Sequence, residues 1–199
     1  MKHFEFDASI YDNFIHHLRK ELTQHSPLVL SIDGMCGSGK TSLANYLSTV
    51  FDASILHMDN FFLPFERKTP SRLSQPGGNI DYERFIEVAL PSLKKRLPFS
   101  YMAYNCQTAS YDRKIEVPPC ELIIVEGSYS LHEQFGAYYD ISLFLEVTSE
   151  EQLKRLEMRC QNEAKFTRFQ TEWIPMETFY HEKQSVKQRA QFIINTSSF

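Results

Sequence analysis

Between positions 34 and 41 the chain reads Gly34-Met35-Cys36-Gly37-Ser38-Gly39-Lys40-Thr41, a fit to G-x-x-x-x-G-K-[ST]. Ahead of it, Leu28-Val29-Leu30-Ser31-Ile32 is a short run rich in branched apolar residues, the signature of a buried strand. Behind it, Leu43, Leu47 and Val50 recur at helical spacing. Strand, glycine loop and helix in that order form an anion-holding turn. Glycines let the backbone curl so that successive N–H groups point inward, and the helix that follows adds its positive N-terminal dipole. Lys40 supplies a cation for the outer phosphates of a nucleotide, and the Thr41 hydroxyl is suited to ligate Mg²⁺. The loop residues Gly34, Cys36, Gly37, Ser38, Gly39, Lys40, Thr41 and Ser42 are therefore the expected nucleotide-binding set. Cys36 reads either as a thiol whose oxidation would block the loop or as an inert filler; with only Lys40 nearby in sequence to lower its pKa, the filler is preferred.

Composition narrows the setting. A net charge of −4 argues against a general nucleic-acid binder, which needs a basic face. No apolar run approaches a membrane span. Four cysteines show neither C-x-x-C spacing nor a disulfide rhythm, so a reduced, cytoplasmic protein is expected. The oligomeric state is left open. At 199 residues, with 42% apolar residues, the chain is expected to form one domain.

Alternating strands and helices follow the loop. Residues 9–24 carry Ile10, Phe14, Leu18 and Leu22 on one helical face. Ser54–Asp59 reads as a second strand ending in an acid, residues 60–80 as irregular, and residues 81–96 as a helix with Pro91 near its end or at a kink. Residues 97–120 read as loop-rich, closed by Pro118-Pro119. Leu122–Val125 and Ile141–Val147 are further strands, and Phe192–Ile194 reads as a short last one. Ser149 is placed to cap a helix from Glu150, with Gln152 as its reciprocal partner. The pattern predicts an α/β fold, a doubly wound, mostly parallel sheet of the P-loop type, whose ligands sit at the carboxyl ends of the strands. Asp59 and Glu126 end strands on that side. Either acid can help to hold Mg²⁺, and an acid in reach of a hydroxyl can accept its proton.

The segments Gly34–Thr41, Asp59-Asn60-Phe61-Phe62, Asn79-Ile80-Asp81, Glu126-Gly127 and Arg155-Leu156-x-x-Arg159 together resemble the uridine kinase and phosphoribulokinase family of P-loop kinases. The resemblance runs from about Leu28 to Ile194. It implies ATP- and Mg²⁺-dependent phosphoryl transfer to a primary hydroxyl of a small molecule, with the 5′-hydroxyl of uridine or cytidine as the first expectation. A vitamin precursor or a sugar phosphate is the alternative acceptor. By the same resemblance Lys40, Asp59 and Arg159 are catalytic, Thr41, Asp59 and Glu126 hold Mg²⁺, and Asp81 accepts hydrogen bonds from a ribose diol. Asp81 reads equally well as a helix cap.

The resemblance also implies a helical lid over about 155–172, with Lys165 and Arg168 as further cations. The chain departs from the family there: Cys160-Gln161-Asn162-Glu163 replaces the usual R-D pair, and the segment has no glycine. In the acceptor region Phe62, Tyr101 and Tyr104 are candidate substrate contacts, though aromatics of this kind also fill cores. Arg67, Arg72 and Arg113 would meet an anionic acceptor. Trp173-Ile174-Pro175 reads as the start of a helix. Two rivals remain: a GTPase switch, opposed by the lack of an N-K-x-D segment, and a regulatory nucleotide binder without catalysis, opposed by the intact Lys40, Thr41 and Asp59.

Overall fold

The computed structural model describes residues 7–160 and 162–197, so Gln161 lies outside the described residues. Five strands form one sheet, β1 (Leu28–Gly34), β2 (Ala53–His57), β5 (Leu122–Glu126), β6 (Ile141–Glu146) and β7 (Phe192–Asn195), in the order β2-β5-β1-β6-β7. Every pairing in it is parallel. Strands β1 and β5 are buried along their whole length, which is why they read as unbroken apolar runs rather than as an alternation.

Two cores sandwich the sheet. Leu28, Leu30, Ile32, Leu122 and Ile124 point to one side, against helix α1 (Asp12–Gln24) and helix α2 (Lys40–Val50). Val29, Ile123 and Val125 point to the other. There they meet Phe85 of α4 (Tyr82–Val88), Leu90 and Leu93 of α5 (Leu90–Lys95), and Tyr180 of α8 (Ile174–Lys183). Residues 9–11 form a 3₁₀ turn ahead of α1. Pro91 separates α4 from α5, since its ring excludes the carbonyl four residues back and it has no N–H to give.

Three local expectations need correction. Residues 97–120 are mostly strand rather than loop. Strands β3 (Phe99–Asn105) and β4 (Ser110–Val117) pair antiparallel as a separate hairpin. Residues 60–80 contain one-turn elements, including α3 (Pro70–Leu73), capped by the Thr69 hydroxyl. The cap of α6 (Ser149–Arg159) is Thr148, whose side chain accepts the Glu151 N–H, and not Ser149. Gln152 is buried and serves the glycine loop instead.

After α6 come α7 (Glu163–Arg168), a π-helical turn over Phe169–Trp173, and α8 without a break. Pro175 lies in the first turn of α8, as expected from the sequence, and the π turn runs directly into that helix. Lacking an N–H, Pro175 cannot continue the ordinary α-helical ladder at that point. A short α9 (Val186–Arg189) leads into β7.

Candidate active site

The loop joining β1 to α2 is fixed by close approach. At Gly34 (φ +141°) a Cβ would lie 2.1 Å from the Leu145 carbonyl oxygen, so no other residue fits. Gly39, at φ +93°, starts α2 from a left-handed conformation that side chains disfavour. Lys40 is largely buried, and its Nζ donates to the carbonyls of Gly34 (2.7 Å) and Met35 (2.9 Å). The Ser38 hydroxyl is buried and has no hydrogen-bond partner among the described residues. Ser42 is exposed on the first turn of α2.

The strand-end acids lie beside this loop. The Thr41 hydroxyl donates to the Glu126 carboxylate, at 3.2 Å and 3.3 Å from its two oxygens. Glu126 is the last residue of β5 and is buried. Its second partner is His57 Nδ1, at the end of β2 in register with it. The hydrogen bond to Glu126 raises the His57 pKa against the opposing effect of burial. Asp59 does not end β2, as expected from sequence, but lies in the 3₁₀ turn Met58–Phe61 just after it. It keeps contact with solvent yet is ringed by protein atoms. That crowding, followed by the charge of Glu126, pushes its carboxyl above the ordinary range, and Lys40 pulls the other way. A base is more effective when its pKa lies nearer the working pH.

Asp33, the residue before Gly34, was not anticipated. It is fully buried and accepts from the Leu131 N–H (2.9 Å) and the Tyr180 hydroxyl (2.8 Å), with His181 at 3.4 Å. Burial alone would raise its pKa, but the hydrogen bond and charge of His181 outweigh that and hold it low. A polar residue inside an apolar strand was the signal available for it. Cys36 is buried, and burial pushes its thiol far up, as an inert filler requires.

The arginines divide. Arg155 donates to Glu151, to the Gly37 carbonyl (3.3 Å) and to the carbonyl of Thr196, so it ties the loop to the end of β7. Arg159 is exposed, stacks its guanidinium 5.2 Å from the centre of Phe169, and contributes a positive charge felt at Cys36. Arg168 pairs with Glu172, and Lys165 is exposed.

In the acceptor region, Tyr101 and Tyr104 are buried on the hairpin's inner face. Tyr101 stacks on Phe61 and accepts from the Asn60 amide, and Tyr104 accepts from the Phe65 N–H. Phe62 is half-buried and bridges to Ile80. Asp81 is 1% exposed; it caps α4 through the Arg84 N–H and pairs with Arg67 at 2.8 Å. Arg72 is held by Glu83 and the carbonyls of Gly78 and Ile80, while Arg113 is exposed.

No protein-family model matches the chain. It is 25% identical over 159 residues to a uridine kinase of Ureaplasma parvum, covering 74% of this chain and 77% of that one. A uridine kinase of a Geobacillus species is 29% identical over 147 residues, 69% of either chain. A solved structure described as a possible uridine kinase from Bacillus stearothermophilus superposes with a TM-score of 0.63 at 20% identity, covering 89% of this chain and 99% of that one. The chain is thus a distant homologue of the uridine kinases and has the α/β fold of the P-loop small-molecule kinases.

Proposed function

We propose that the chain transfers the γ-phosphoryl group of ATP to a primary hydroxyl of a small molecule. The observation that carries this reading is the meeting of Lys40, Thr41 and Glu126 at the carboxyl edge of the sheet, with Asp59 beside them. In it, the loop amides and Lys40 hold the outer phosphates. Asp59 orients the acceptor hydroxyl and takes its proton, and Arg159 balances charge on the transferring group.

Thr41, Glu126 and Asp59 offer hard oxygen donors, the chemistry Mg²⁺ prefers. Among the described residues no group of three or more His, Cys, Asp or Glu forms a metal cage. That fits an ion held by one or two protein oxygens together with substrate phosphates. Bound there, Mg²⁺ would neutralise phosphate charge. Lys40→Ala is expected to reduce phosphoryl transfer by a factor of about 10³ or more while the protein still folds, since Lys40 is a loop cation and no part of either apolar core. Turnover near wild type, measured by coupled ADP release, would remove the assignment.

The homology favours uridine or cytidine as acceptor, with Asp81 on the ribose diol. One observation favours a second reading. The Asp81 carboxylate is already shared by Arg67 and the α4 cap, and the Arg67 side chain is itself 45% exposed. A cation on that carboxylate suits an alcohol that carries an anionic group. Steady-state kinetics separates the two. A nucleoside acceptor should lose roughly tenfold or more in kcat/KM when the 2′-hydroxyl is removed. An anionic acceptor should instead lose activity in Arg67→Ala.

A further inference from the structure

One face of α8 looks at the carboxyl edge of the sheet. Glu177, Tyr180 and His181 stand three and four residues apart on one face of α8, and Gln184 follows as the residue that ends the helix. Tyr180 and His181 hold Asp33, and Gln184 accepts the Glu133 N–H at 2.9 Å. Those bonds dock α8 firmly. Glu177, at the other end of the same face, reaches the glycine loop itself. Its Oε2 accepts the Cys36 N–H at 2.8 Å, and its Oε1 accepts the Ser128 hydroxyl at 2.8 Å. Ser128 Oγ also lies 3.3 Å from the Gly34 carbonyl.

We infer that Glu177 is a positioning residue for the phosphate loop, holding its first turn in the curled form that directs the following N–H groups at a nucleotide. The physical need is plain. A loop of glycines and small residues has many conformations, and each that must be lost on binding weakens affinity. Two neighbours act with Glu177 on the same loop. Gln152 donates to the Cys36 carbonyl at 2.9 Å, and Arg155 donates to the Gly37 carbonyl. The first turn is therefore gripped at the Cys36 N–H, the Cys36 carbonyl and the Gly37 carbonyl. Only the Glu177 grip comes from α8, so it links the loop to the helix that follows the π turn. Sequence gave no hint of it, since 141 positions separate the two partners.

The inference rests on the nucleotide reading of the loop, and it is tested by titrating the purified full-length chain with fluorescent ADP and with a non-hydrolysable ATP analogue, both with Mg²⁺. Glu177→Ala should bind each at least tenfold more weakly. Glu177→Gln should recover most of that loss, because its amide oxygen can accept the Cys36 N–H while its NH₂ meets Ser128. A melting temperature within a few degrees of wild type in both variants would separate positioning from general instability. Affinity unchanged in Glu177→Ala would overturn the inference. So would equal loss in both variants, which would mean that charge matters and not the bond. Tighter binding in Glu177→Ala would overturn it too, marking Glu177 as an anion that competes with phosphate. If Glu177→Ala does not fold, Ser128→Ala decides: a loss of about threefold or more supports the grip, and none refutes it. A wild-type chain that binds neither nucleotide would instead sink the nucleotide reading itself, and this inference with it.

Discussion

Asp33 shows how a single buried carboxylate organises the neighbourhood of the loop. Its oxygens take a backbone N–H from the segment after β5, a hydroxyl from α8 and an imidazole from the next residue of the same helix. A charge removed from water this completely is tolerable only with such partners. Asp33→Asn is expected to cost about 2–4 kcal/mol, because the amide leaves at least one buried donor poorly matched. The sign of the pH dependence follows from the depressed pKa of the folded form. Asp33 contributes its full stability above the unfolded value of about 3.9, and that contribution fades as pH falls toward the folded value. The stability gap between wild type and Asp33→Asn should thus shrink as pH falls below about 4. Urea melts across that range measure it. A gap that widens as pH falls below about 4 would mean that Asp33 is not ionised in the fold.

At the scale of elements, α4 illustrates two uses of one side chain. Asp81 closes the helix by accepting the Arg84 N–H and also holds Arg67. Asp81→Ala should lower stability by about 1–2 kcal/mol, while Asp81→Asn, which still caps, should lower it by less, as denaturant melts would show. Capping of this kind was legible in the sequence, as were the five strands of the parallel sheet. Unbroken apolar runs such as Leu122–Val125 have few other places to go. The β3–β4 hairpin was not legible. Its second strand reads Ser-Tyr-Asp-Arg-Lys-Ile-Glu-Val, with most side chains in solvent, so apolar alternation is nearly absent. Its turn places Ala109 at φ +51°, where a glycine or asparagine would have announced it. The cap of α6 was misplaced by one residue because Thr148 and Ser149 are both competent caps. Of the candidate site, Lys40 and Thr41 stand out through the glycine-loop motif, and Glu126 through the rule that ligands gather at strand ends. Glu177, His57 and Gln152 could not, since their roles depend on how distant elements pack.

Across the whole molecule, the carboxyl edge of the sheet gathers acids more densely than the net charge of −4 implies. Asp59 feels the charges of both Glu126 and Glu177, and each raises its pKa. Lys40 and the loop N–H groups stand against them. A bare polyphosphate brought to this edge would meet like charge from the acids as well as attraction from the loop. With Mg²⁺ the balance changes, because the cation is attracted both by the carboxylates and by the phosphates. The nucleotide and the ion should therefore stabilise the fold together far more than either does alone. At a free concentration of ligand near 100 times Kd, binding adds about 2.7 kcal/mol, which in a chain of this size raises Tm by roughly 5–10 °C. A non-hydrolysable ATP analogue with Mg²⁺ should produce a shift of that order, and the same analogue with EDTA only a small fraction of it. Glu126→Gln should reduce the Mg²⁺-dependent part selectively, because it removes a negative charge while keeping a partner for the Thr41 hydroxyl. Equal shifts with and without Mg²⁺ would show that the acids at this edge do not face the bound phosphates, and the assignment of Glu126 to the ion would fall.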